Sequence, residues 1–197
     1  MKVFDVHVHF GWWESLGEKD SIDGWLDELV RACEEAGIVK VGLLGWSTLG
    51  NDAVARAIEK YPGFIYGMAM IDMDEESPRM VNEYHQRGFT GLKLISPALN
   101  YDDPAYYGFY QRAESLRMPI LFHTGIIGGP IDYLMGGEED EWKAIPVGEA
   151  EEKLVQGLKD QITMKPYGKS SARMQPIYLD TIATYFPKLY MIGAHLG

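Results

Sequence analysis

Met1-Lys2-Val3-Phe4-Asp5-Val6-His7-Val8-His9-Phe10 opens the chain, and its reading decides the fold. It has the composition of a short apolar strand with polar groups at regular intervals. Side chains alternate across a strand, so Asp5, His7 and His9 are expected on one face, and Phe4, Val6 and Val8 on the other. Two imidazoles spaced two residues apart stand about 7 Å from each other along that face, close enough to converge on one metal ion. An apolar strand with a polar C-terminal end is what a parallel α/β barrel presents at its mouth.

Working outward, the same kind of unit recurs. Ser21 is placed to cap a helix starting at Ile22, with Trp25, Leu26, Leu29, Val30 and Cys33 at helical spacing and Gly37 as its stop. Residues 39–44 form a near-continuous apolar run, the mark of a strand buried on both faces. Asn51 and Asp52 open a second helix that closes at Pro62 and Gly63, and 64–70 reads as the third strand. Ser77 and Pro78 start a third helix that runs to Arg87 and ends at Gly88. Residues 89–94 are the fourth strand, 104–117 a helix and 119–123 the fifth strand. After a long interval come a helix over 176–185 and a sixth strand over 189–194. Strand–helix units in this rhythm predict parallel βαβ architecture, here a (β/α)8 barrel of 1–197 that stops after strand six. Such a barrel needs eight strands and typically about 250 residues, so the reading frame is expected to continue past Gly197.

The interval between the fifth strand and its helix, 124–174, reads as an insertion. It begins Gly-rich, turns acidic at 138–141, and carries an extra helix over 149–162 with Leu154, Leu158 and Ile162 on one stripe. On this side of a barrel such an insertion shapes a substrate pocket or a lid, or else makes a subunit contact.

Composition narrows the function classes. The 197 residues are 46% hydrophobic and include 12 Tyr, 7 Phe and 5 Trp, enough for one sizeable core. A net charge of −11 argues against a nucleic-acid surface. The lone cysteine, Cys33, excludes a disulfide framework and fits a reducing compartment. The start has no signal-peptide pattern and no run is long enough to span a membrane. A soluble cytoplasmic protein that takes a small-molecule substrate and forms a homo-oligomer is expected.

Of the five histidines, His85 falls mid-helix and reads as solvated. The other four, His7, His9, His123 and His195, fall at the C-terminal ends of expected strands. In a parallel barrel those ends meet on one face, and neutral imidazole suits zinc, iron and similar metals.

Phe4-Asp5-Val6-His7-Val8-His9-Phe10, Gly91-Leu92-Lys93-Leu94, Pro119-Ile120-Leu121-Phe122-His123-Thr124-Gly125 and Ile192-Gly193-Ala194-His195-Leu196-Gly197 together resemble the successive strand ends of the amidohydrolase superfamily. They are most similar to the amidohydrolase-related branch that includes aminocarboxymuconate-semialdehyde decarboxylase. The resemblance covers the chain except 124–169. It implies a metal-dependent barrel in which His7, His9 and His123 are ligands of one divalent ion, most simply zinc. It implies that His195 sits at the metal or exchanges a proton with substrate, and that an aspartate at the end of an eighth strand completes the site. No Asp of this chain matches that position.

The implied chemistry is hydrolysis of an amide, ester or lactone by activated water, or non-oxidative decarboxylation of a small acid. A non-catalytic metal-binding chain is the third possibility. Lys93 stands where some superfamily members carry a carboxylated lysine bridging two metals. In the branch resembled here it reads first as a substrate anchor, or as a lysine paired with Asp5. Trp12 and Trp13 would wall a pocket or pack, Arg173 would clamp a carboxylate or make a surface ion pair, and Asp5 would orient a histidine or bond backbone.

Overall fold

A computed structural model of the chain describes residues 2–10, 22–45, 50–125 and 173–195. Trp12, Trp13, Ser21 and the helix expected over 149–162 lie outside the described residues, as does most of the insertion over 124–174. Six strands, β1 (Val3–His9), β2 (Ile38–Leu44), β3 (Ile65–Met70), β4 (Gly91–Leu94), β5 (Ile120–His123) and β6 (Met191–Ala194), form one sheet. Its order is β1-β2-β3-β4-β5-β6, and every neighbouring pair is parallel.

Sequential order with no reversal is the winding of a barrel, since a doubly wound sheet turns back at a switch point. The sheet curls into a half-barrel of α/β type. Its outer face carries the large core, in which Val41, Leu43, Ala69, Leu92, Leu94, Ile120 and Phe122 pack against the helices. Its inner face carries a small separate cluster of Leu44, Met68, Leu121 and Ala194, with Ile192 beside it.

The helices are α1 (Ile22–Glu35), α2 (Asn51–Lys60), α3 (Met80–Gln86), α4 (Tyr107–Leu116) and α5 (Tyr178–Tyr185). α1 buries an apolar stripe, Leu26, Val30 and Cys33, against the core, whereas α5 buries only Ile182. Gly37 and Gly88 stop α1 and α3 at φ of 77° and 91°, which glycine adopts without steric cost. Three helices begin later than the sequence predicts, α5 at Tyr178 instead of 176. Ser77 and Pro78 form a turn, the Ser77 hydroxyl accepting from the Arg79 N–H at 3.3 Å, and α3 starts only at Met80. Asp103 caps a 3₁₀ turn over Pro104–Tyr106 through the Ala105 N–H, and α4 follows it.

β1 departs from the expected alternation. Phe4 and Asp5 stand beside Lys40 and Val41, and Val8 and His9 beside Leu43 and Leu44. Two residues of β1, Val6 and His7, therefore oppose the single Gly42, which is a β-bulge. Paired residues of neighbouring strands point to the same side of a sheet. Phe4 accordingly shares the inner face with His9, its ring 5.4 Å from that of Tyr66. Asp5 and Val8 share the outer face with Val41 and Leu43. The expected grouping of Asp5 with His7 and His9 is thus corrected, because one extra residue inverts the phase of the strand.

Candidate functional site

The four histidines from strand ends come together at one rim. His7 and His9 end β1, His123 ends β5, and His195 follows β6. Ring contacts run from His9 to His7 (centroids 5.1 Å apart), from His7 to His195 (5.6 Å), and from His195 to His123 (4.6 Å). The Nε2 atoms of His7 and His9 are 3.2 Å apart. His195 reaches the row from a left-handed backbone, at φ 70°. His85, in α3, is exposed on the helix surface.

Burial holds His7 and His9 in the neutral form. Each has its pKa lowered to about 4, first by loss of water and next by the ammonium of Lys93; for His7 the neighbouring imidazoles add to this. The Gly45 backbone beside the His9 ring acts the other way and raises its pKa.

Lys93 projects from β4 on the inner face, beside Met70 and Leu121 in the register. It is 0% exposed, its Nζ has no hydrogen-bond partner among the described residues, and burial lowers its pKa to about 8. The expected pairing with Asp5 is absent for a geometric reason. The bulge turns Asp5 to the outer face, where its carboxylate accepts the His7 backbone N–H at 3.1 Å. The Cys33 thiol of α1 feels that charge: burial pushes its pKa up, and Asp5 adds to the effect. Asp5 is therefore a backbone acceptor.

Arg173 lies at the same end of the sheet. Its Nη1 donates to the Pro97 carbonyl at 3.5 Å, and its own carbonyl accepts from the Tyr101 N–H at 3.2 Å. Among the described residues no ion pair involves it. Trp12 lies outside the described residues.

Three residues that sequence reasoning misses tie the strand ends together. The Tyr101 hydroxyl lies 3.1 Å from the Leu94 carbonyl and 3.0 Å from the His123 carbonyl, joining β4 to β5. The Thr124 hydroxyl lies 2.8 and 2.9 Å from the carbonyls of Ala194 and His195, joining β5 to β6. The Asn51 amide donates to the Met70 carbonyl at 2.7 Å and accepts the Met70 N–H at 2.9 Å. All three are buried, where an unmet backbone group costs about 1–3 kcal/mol. Their only signal in the sequence is a polar residue at an otherwise apolar boundary.

Two imidazole nitrogens bound to one tetrahedral zinc at about 2.0–2.1 Å stand about 3.3–3.4 Å from each other. The 3.2 Å between the His7 and His9 Nε2 atoms fits that span. Among the described residues, no group of three or more His, Cys, Asp or Glu side chains is set to hold a metal ion as it stands. The fit is that of a two-histidine seat with two further imidazoles alongside.

The amidohydrolase family matches residues 46–197, beginning downstream of the His7–His9 strand. Comparison with curated proteins gives no match. Among solved structures, a putative amidohydrolase from Staphylococcus aureus is similar with a TM-score of 0.60 at 20% identity, over 97% of this chain and 66% of that one. A 5-carboxyvanillate decarboxylase from Sphingomonas paucimobilis gives 0.58 at 13% identity, over 96% of this chain and 66% of that one. A dihydroxybenzoic acid decarboxylase from a Polaromonas species, solved with manganese and 2-nitroresorcinol, gives 0.59 at 16% identity, over 96% of this chain and 64% of that one. The chain thus spans at most about two-thirds of the length of these structures. At such identities they speak for the fold, and the family match over most of the sequence carries the assignment: the chain belongs to the amidohydrolase family.

Proposed function

We propose that this chain carries the metal-binding rim of a hydrolase that acts on the amide, ester or lactone carbonyl of a small molecule. The observation that carries the reading is the 3.2 Å approach of two neutral imidazole nitrogens, with two more imidazoles beside them. His7, His9 and His123 would hold one divalent ion, zinc by the preference of imidazole for borderline metals. Bound there, the ion would supply Lewis acidity, easing deprotonation of a water and polarising the carbonyl.

The chain's own residues do the remaining work in this reading. His195 sits between His7 and His123 and exchanges the proton at its ring nitrogen. The buried Lys93 ammonium attracts an anionic substrate group, and Arg173 offers a second cation at the same rim. Trp12 would wall the pocket. Decarboxylation of a small acid is the second reading, favoured by Lys93: a buried ammonium with no counter-charge among the described residues is neutralised by a carboxylate.

The test is metal analysis of the purified protein beside a His7→Ala, His9→Ala double variant. About one equivalent in the parent and its loss in the variant are expected. Unchanged metal content overturns the reading. Release of CO2, measured against amide or lactone cleavage, then separates the two reactions.

A further inference from the structure

β1 must solve a phase problem. Phe4 lies on the inner face, and strict alternation from it would send Val6 and Val8 inward and both histidines out toward the helices. The extra residue at Val6–His7 reverses this, and two features hold it. His7 has no partner in the register to β2, and its N–H is taken by the Asp5 carboxylate two residues back. The Val6 backbone presses onto β2 where that strand has no side chain. A Cβ on Gly42 would lie 2.6 Å from the Val6 carbonyl oxygen and 2.9 Å from both its carbonyl carbon and Cα. Backbone cannot yield to such a contact as a flexible side chain does, so any larger residue expels the bulge.

We propose that Asp5 and Gly42 are positioning residues which, by locking the bulge at Val6–His7, turn the imidazoles of His7 and His9 onto the inner face and toward each other. Asp5 acts as a hydrogen-bond acceptor, so its charge is dispensable. Gly42 acts by its missing side chain. The inference concerns ring placement in the protein without added metal, and only its consequence for affinity rests on the function proposed above.

The experiment follows cross-peaks between the histidine ring Hε1 protons by NMR, together with a cobalt(II) absorbance titration, in the parent chain, Asp5→Ala and Asp5→Asn. Strong His7–His9 cross-peaks are expected in the parent and in Asp5→Asn, whose side-chain oxygen still accepts the N–H. Asp5→Ala is expected to lose most of their intensity and at least about tenfold in cobalt affinity, the usual cost of removing a group that orients a ligand. Full cross-peaks in Asp5→Ala overturn the proposal, and so does an Asp5→Asn chain as impaired as Asp5→Ala. Gly42→Ala is expected to lose the cross-peaks or the fold. Deleting Val6 in the same chain removes the clashing residue and should restore both, and failure to do so overturns the role of Gly42. A parent chain with the cross-peaks but no cobalt uptake would instead sink the metal reading and leave this one standing.

Discussion

The rim presents its imidazoles in two ways, and the contrast between β1 and the β4–β5 pair explains how. β4 and β5 are short, regular and buried at every residue. Their ends are held from outside the strands, by hydroxyls reaching in from Tyr101 and Thr124. β1, at one end of the sheet formed by the described residues, is bulged and partly exposed, and it holds its histidines from within, through its own Asp5 and the gap at Gly42. In the centre, packing density fixes a ligand strand. At the edge, where packing is thin, a hydrogen bond and a steric notch do the same.

The largest expected difference is in core truncation. Phe122 is fully buried, its ring 5.1 Å from Tyr101 and 5.9 Å from Tyr110. Phe122→Ala should cost about 3–5 kcal/mol in denaturant unfolding, whereas Val8→Ala on β1 should cost about 1 kcal/mol. Equal costs would erase the distinction between centre and edge.

Lys93 is the exception inside the centre, and its removal should stabilise. With its pKa lowered from 10.5 to about 8, the fold disfavours the ammonium. The penalty is fully present at pH 7, where both folded and unfolded chains carry the proton. It fades as pH rises from about 8 to 10.5, where the unfolded chain binds more protons than the folded one. Lys93→Met should therefore gain about 3 kcal/mol in the metal-free protein at pH 7, and nothing above pH 10.5. A loss at neutral pH would mean that the amine has a counter-ion.

The smallest effect is an acid transition of the edge. His7 and His9 have pKa values lowered from 6.5 to about 4, so between these values the unfolded chain binds protons that the folded one refuses. The melting temperature of the metal-free protein should fall as pH drops from 6.5 to 4, and a His7→Gln, His9→Gln chain should fall less. Identical slopes would separate the acid response from these rings.

Much of this was legible in the residues. Apolar runs between glycine and proline stops mark all six strands to within two residues, because burial on both faces leaves a continuous signal. The histidines at strand ends are visible for the same reason, as polar residues where an apolar run stops. The bulge is not visible in β1 itself, whose alternation looks perfect. Its trace is in the partner strand, where Gly42 interrupts the apolar run, and a glycine inside a strand signals close backbone approach. Lys93 and Asp5 are readable as charged residues, but the face each takes depends on phase, which composition does not carry. Tyr101 lies in an irregular stretch with no period, so its reach to two strand ends emerges only in three dimensions.

The Asn51 amide meets both backbone groups of Met70, as a further residue of a neighbouring strand would. With Tyr101 and Thr124 it meets backbone groups at the ends of β3 to β6 from just beyond the strands. Past these three anchor points the connecting segments have no strand end to hold. They can lengthen, shorten or change composition over generations while the scaffold below stays whole, so one frame can meet different substrates by rewriting only what lies above these anchors.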